Sequence, residues 1–212
     1  MPQLKKYNFM EVGIKSPLNL NGDLQTLRNE AGLPIVFLID ESHDNLNSCI
    51  NKNIENAIEL IKNADVRIIG VESRYGGKLW NEGDEEYEEE NDNANDYKGG
   101  CTTFEDGLKE EYENYLFGVE SFGIMSKIAC SFGKGNGLDS IDKISDHHLN
   151  KLRSKHFIKT LFEHHQANEV KGNLLLNCGR DHNTHIEEWI KSGEIDEIAN
   201  HRANYIRINT ID

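Results

Sequence analysis

No apolar run in this 212-residue chain approaches the ~20 residues that a helical membrane span requires. The opening residues, MPQLKKYNFMEVG, carry two lysines but no apolar stretch behind them, so no secretory signal is expected. Cysteine is sparse and unpaired in spacing: Cys49, Cys101, Cys130 and Cys178 form no CxxC. Cys49 and Cys130 stand among apolar neighbours, where a free thiol behaves as a small hydrophobe. Without an export signal the four are expected to be reduced, which makes the expected location cytoplasmic. Positive charge is also short, with 23 Lys and Arg against 37 Asp and Glu and a net charge of −14. A surface of that sign repels the nucleic-acid backbone and anionic lipid, so no nucleic-acid partner is expected, although a small basic pocket remains compatible with it. The chain has no GxSxG elbow, which disfavours an ordinary serine hydrolase. It has no internal repeat of useful length, and the likeness of IIGVES to LFGVES reads as chance.

What remains is globular. The hydrophobic fraction is 37% and the charged fraction 28%. At ~100–200 residues per domain, a single α/β domain over 1–212 is the simplest reading. Residues 34–40, PIVFLID, read as a buried strand, and Glu41-Ser42-His43-Asp44-Asn45 follows. Residues 46–62 place Leu46, Ile50, Ile54, Ala57, Ile58 and Ile61 on one helical face, with Asp44 or Asn45 as N-cap. Residues 66–71, VRIIGV, are a second strand that runs into Glu72-Ser73-Arg74. Strand, helix and strand in succession make a βαβ unit with parallel pairing.

Residues 82–96 contain almost nothing apolar and read as an acidic flexible loop or insertion. Residues 105–131 read as two helices, and Gly133–Gly137 as a turn. Residues 149–167 read as a helix with Leu149, Leu152, Phe157, Ile158, Leu161 and Phe162 facing the core. NLLLNC at 173–178 reads as a third buried strand, 184–191 as a short helix stopped by Gly193, and YIRINTI at 205–211 as a final edge strand. The expected architecture is a mixed, mostly parallel sheet flanked by helices.

The three apolar strands end in ionisable groups: Glu41 and His43, then Glu72 and Arg74, then Arg180, Asp181 and His182. In open α/β sheets ligands bind outside the carboxyl ends of the strands, so parallel neighbours would bring these tails together. Imidazole and carboxylate suit a divalent ion such as Mn, Zn, Co or Fe, with His43, Glu72, His182 and Glu41 as candidate ligands. A bound ion makes hydroxide available near neutrality, and a nearby carboxylate serves as general base. Arg180 or Arg74 would hold a carboxylate or stabilise developing negative charge. His185, three residues after His182, shares a helix face with it.

Rival clusters exist. Asp146-His147-His148 reproduces the triplet of the DHH phosphoesterases, but no apolar strand leads into it. His164-His165 lies in a helix, where the two rings diverge by about 100°, and reads as surface. Cys178 is placed as a nucleophile would be, yet a buried strand thiol is the simpler account.

Three segments resemble the superfamily that groups erythromycin-esterase-like, ChaN-like and TraB/PrgY/TIKI proteins. Leu38-Ile39-Asp40-Glu41-Ser42-His43 resembles its first strand-end motif, with Asp40 in place of the usual glycine. Ile69-Gly70-Val71-Glu72 resembles the second, and Gly179-Arg180-Asp181-His182 keeps the Gly-x-x-His spacing of the third. The resemblance implies an α/β fold with its ligands at one sheet edge, and Glu41, His43, Glu72 and His182 as active residues supported by Arg180 or Arg74. Relatives of this kind include metal-dependent proteases, macrolide esterases and haem-binding proteins. The expectation is a metal-dependent hydrolase that cleaves an ester or amide bond of a small-molecule or peptide substrate. The alternatives are a haem- or metabolite-binding module, a protein working through a protein partner or as a homo-oligomer, and a DHH-type phosphoesterase.

Overall fold

The apolar run that follows Pro34 becomes an inner strand of a six-stranded sheet, buried along its whole length. In the computed structural model of the chain, which describes residues 4–8, 14, 16–41, 47–75, 101–120, 141–169 and 171–211, the order of elements begins with β1 (Lys5–Tyr7), β2 (Leu18–Leu20), β3 (Asp23–Arg28) and β4 (Ile35–Glu41). It continues with α1 (Asn47–Asn63), β5 (Val66–Tyr75), α2 (Cys101–Tyr112), a 3-10 turn (Glu113–Tyr115) and β6 (Leu116–Glu120). It ends with α3 (Ile141–Ala167), β7 (Asn173–Gly179), α4 (Arg180–Ser192), α5 (Ile195–Ala199) and β8 (Asn204–Asn209).

The main sheet has the order β3-β8-β4-β7-β5-β6, and β1 pairs with β2 in a separate antiparallel sheet. Every neighbour in the main sheet is parallel except β3, which runs antiparallel to β8. The expected mixed, mostly parallel α/β architecture is therefore what the chain adopts. The continuous apolar character of β4 and β7 follows from burial on both faces. Successive side chains point to opposite sides. Phe37, Ile39 and Leu175 meet Ile50, Ala57 and Leu60 of α1 and Phe104 and Leu108 of α2. Val36, Leu38, Leu174 and Leu176 meet Phe157, Ile158, Leu161 and Phe162 of α3 and Ile186 and Ile190 of α4.

Two glycines serve this packing. A Cβ on Gly70 would stand 2.8 Å from Val119 Cγ1 and 3.1 Å from Leu161 Cδ1, so its absence lets α3 settle onto β5. Gly193 ends α4 at φ 84°, the left-handed C-cap conformation that glycine adopts without strain.

Several expectations need correction. The second half of the expected helical stretch 105–131 is not helix as far as it is described: α2 ends at Tyr112 and residues 116–120 are β6, where Phe117 and Val119 face α3. The last strand is not an edge, because β3, absent from the expected elements, covers its outer side. Leu152 is 40% exposed rather than in the core, and Leu149 is only half-buried. His164 and His165 are half-buried rather than superficial, and the His164 ring stacks on Phe117 with centroids 4.0 Å apart. The helix expected at 184–191 begins earlier, at Arg180, which places His182 within its first turn. The acidic segment 82–96 and the glycine-rich turn 133–137 lie outside the described residues. Among the described residues no helix is long and apolar enough to cross a membrane.

The chain path explains where a site would form. From β4 the chain crosses through α1 on one face, whereas from β7, the neighbour of β4, it leaves through α4 on the other. Departures to opposite sides open a crevice outside the carboxyl ends of these strands, the place where doubly wound sheets bind ligands.

Candidate functional site

Glu72, near the carboxyl end of β5 and beside β7, is the centre of a buried polar cluster. Position 72 follows Gly70 on the α3 side of the sheet, and the side chain is buried, with 3% exposure. Its Oε2 accepts the backbone N–H of Gly179 at 2.7 Å, at the end of the adjacent strand β7. Its Oε1 accepts from Arg153 Nη2 at 2.7 Å and lies 3.3 Å from His182 Nε2. Burial by itself would raise this carboxyl. The hydrogen bond and charge of His182, the charge of Arg153 and the Gly179 N–H outweigh it and bring the pKa down to about 2. Glu72 is thus a carboxylate throughout the neutral range.

His182 is held on every side. Its other ring nitrogen, Nδ1, is 2.8 Å from Ser154 Oγ, and the Phe157 ring packs against it with centroids 4.8 Å apart. His185, one helical turn on, reaches the same hydroxyl through its own Nδ1 at 2.9 Å. Spacing of three residues on a helix puts both imidazoles on the face that α4 turns toward α3. Arg153 binds a second buried carboxylate, Glu120 at the end of β6, with Nη2 to Oε2 at 2.5 Å. The strand phrases IIGVE and LFGVE lie on neighbouring strands, and their final glutamates share one guanidinium.

The other expected residues are distributed differently. Glu41 pairs in register with Gly179, but its side chain belongs to the α1 side of the sheet. There its Oε2 accepts from Asn177 Nδ2 at 2.6 Å, and Asn53 of α1 donates to Asn177 Oδ1 at 3.1 Å. Glu41 and Glu72 thus flank Gly179 from opposite faces and are not drawn into one cluster. His43 lies outside the described residues, as does the side chain of Arg74. Arg180 is exposed at the start of α4 and borders a cleft of about 310 Å³ with Asp40, Thr184 and Arg207. Asp181 is exposed in the first turn of α4, whose N-cap is Gly179. Asp146-His147-His148 falls inside α3 and not at a strand end, with His148 exposed.

Asp40, the departure from the glycine of the resembled motif, has a partner of its own. Arg207 of β8 grips it with Nε to Oδ1 and Nη2 to Oδ2, each at 3.0 Å, and Asn183 donates to Oδ1 at 2.9 Å. Burial raises the Asp40 carboxyl and these bonds offset only part of the rise. Cys178 is fully buried with its Sγ 3.2 Å from Asn183 Oδ1. Burial, then the charges of Glu72, Asp40 and Glu41, push its thiol well up, which is the opposite of an activated nucleophile.

The Glu72–His182 cluster does not fit a resident metal as it is arranged. Both oxygens of Glu72 and Nδ1 of His182 are taken by protein partners, and an ion would have to displace the Arg153 cation. Among the described residues no group of three or more His, Cys, Asp or Glu is placed to hold one. A haem iron would meet the same obstacle at His182, whose ring is 4% exposed.

Arg153, Ser154 and Glu120 were not among the expected site residues. Ser154 had a signal: it stands three, four and seven positions before Phe157, Ile158 and Leu161, so a polar residue occupies the buried stripe of a helix. Comparison with protein-family models, with curated proteins and with solved structures found no match.

Proposed function

We propose that this chain is a hydrolase that opens an ester or amide bond with water, with the His182–Glu72 pair as its acid–base group. The observation that supports it is the buried imidazole–carboxylate contact of 3.3 Å at the carboxyl edge of the sheet, where β5 lies beside β7. Glu72, ionised down to about pH 2, does not itself take a proton near neutrality. Its Oε1 faces Nε2 of His182 and so favours the imidazolium form of the ring, the role a buried carboxylate plays beside a catalytic histidine. Arg153 holds Glu72 in place and offsets part of the negative charge it shares with Glu120. Arg180, exposed at the first residue of α4, is the cation suited to an anionic group on the substrate or to developing oxyanion charge.

Ser154 is not the nucleophile in this reading, although serine, histidine and glutamate are in contact. It is 0% exposed and its oxygen already has three partners. The substrate class is a small molecule or peptide whose carbonyl can enter the crevice.

The test is hydrolysis of a panel of activated aryl esters and short peptides by the wild type, His182→Asn and Glu72→Gln. Loss of an acid–base group of this kind is expected to lower kcat by roughly 10²–10⁴-fold with the circular dichroism spectrum unchanged. Wild-type turnover by a folded His182→Asn protein would overturn the proposal. A Soret shift on addition of haem, lost in His43→Ala, would support the binding-module alternative instead.

A further inference from the structure

Ser154 Oγ has three polar neighbours at short range: Asn150 O at 2.8 Å, His182 Nδ1 at 2.8 Å and His185 Nδ1 at 2.9 Å. A hydroxyl offers one proton and two lone pairs. The Asn150 carbonyl can only accept, so its contact is a hydrogen bond only when the hydroxyl proton points at it. Were that proton given to either imidazole, two oxygens carrying lone pairs would face each other at 2.8 Å in a buried site. One assignment alone turns all three contacts into bonds. The hydroxyl donates back to Asn150 O, one helical turn earlier, and accepts Nδ1–H from both histidines.

We infer that Ser154 is a positioning residue that fixes a proton on Nδ1 of both His182 and His185 and so sets the orientation of the two rings. The opposite nitrogen of His182, Nε2, is thereby turned to Glu72 as the donor to its carboxylate. The lock comes from α3, whose neighbouring residue Arg153 also fixes Glu72. One stretch of helix therefore sets both halves of the pair: the carboxylate through Arg153, and the tautomer of the ring through Ser154. The burial of all three groups, at 0% for Ser154, 4% for His182 and 6% for His185, keeps water from substituting for the hydroxyl. The catalytic use of the lock rests on the hydrolase reading above; the hydrogen-bond assignment does not.

The experiment separates the two. The full chain is labelled with 15N-histidine, and its nine histidines are assigned with His182→Asn and His185→Asn variants. Long-range 1H–15N spectra between pH 6 and 9 then report which ring nitrogens carry protons. The expected result is a protonated Nδ1 on both His182 and His185 across that range. In Ser154→Ala, at least one of the two rings is expected to move its proton to Nε2. A bare Nδ1 on either ring of the wild type overturns the assignment, and needs no variant to be folded. Unchanged spectra in Ser154→Ala overturn it as well. With a hydrolysed substrate in hand, Ser154→Ala is expected to lower kcat by about 10- to 100-fold with KM unchanged, since the His182 ring is no longer fixed beside Glu72. Wild-type kcat in a variant whose tautomers have shifted would remove the positioning role, whereas absence of turnover in the wild type would count against the hydrolase reading alone.

Discussion

The Nη2 of Arg153 lies 2.7 Å from Oε1 of Glu72 and uses the same nitrogen to reach Glu120, so a helix on one face of the sheet ties together the ends of two neighbouring strands. Both carboxylates are buried, at 3% and 2% exposure, and like charges on adjacent strands would repel without the guanidinium. The arrangement makes the site and the stability of this sheet edge depend on the same residues.

Removing the cation is therefore expected to cost more than a surface ion pair would. Arg153→Met leaves two carboxylates in a buried setting without their guanidinium and should destabilise the protein by about 3–5 kcal/mol. Adding Glu120→Gln to that variant should recover part of the loss, because one of the stranded charges is gone. Urea unfolding of the wild type, the single variants and the double variant at pH 7 checks both statements. A loss below ~1 kcal/mol for Arg153→Met, the size of an exposed pair, would show that the cluster is not held as described.

Acid should act through Glu72 in a defined direction. Its folded pKa of about 2 is below the ordinary 4.5, so the stability it contributes is present above 4.5 and is lost as pH falls from there toward 2. A displacement of that size corresponds to roughly 3 kcal/mol at neutral pH. The unfolding free energy of the wild type minus that of Glu72→Gln should accordingly narrow between pH 5 and pH 2.5. A gap that stays constant over that interval would mean the carboxylate is not stabilised by its surroundings.

Packing at Gly70 should be nearly as sensitive as the charges. An alanine Cβ there would press on Val119 at 2.8 Å, Leu161 at 3.1 Å and Leu176 at 3.3 Å, atoms of β6, α3 and β7. Gly70→Ala is expected to cost about 1–3 kcal/mol by overpacking. Leu161 lies two helical turns beyond Ser154, so lifting α3 from β5 should also loosen Arg153 and Ser154 from Glu72 and His182. Thermal melting tests the first effect, and the histidine spectra described above test the second. A variant that melts with the wild type would show that α3 can shift at no cost.

The strand ends were legible because a parallel sheet buried on both faces demands continuous apolar runs, and such runs stop where the chain meets the solvent edge. PIVFLID, VRIIGV and NLLLNC carried that pattern, and the groups just after them, Glu72 and His182 among them, do meet. The same reasoning could not say which side of the sheet each group takes. Glu41 and Glu72 are both strand-end glutamates, yet one turns to Asn177 and the other to Arg153, a difference of pleat phase and register that no single strand contains. The strand Leu116–Glu120 was read as helix because Val119 and Phe122 continue an apolar spacing begun in α2, and only its pairing with β5 decided otherwise.

By itself, then, the order of residues determined an α/β chain with three buried parallel strands and the identity of the ionisable groups at their ends, since local apolar runs and helical stripes are short-range properties. The tertiary structure alone decided the strand order that puts β7 between β4 and β5, the choice of Arg153 and Ser154 as partners of Glu72 and His182, and the pairing of Asp40 with Arg207. Those are contacts between residues 28 to 167 positions apart, set by how the faces of helices and strands interlock rather than by any local propensity.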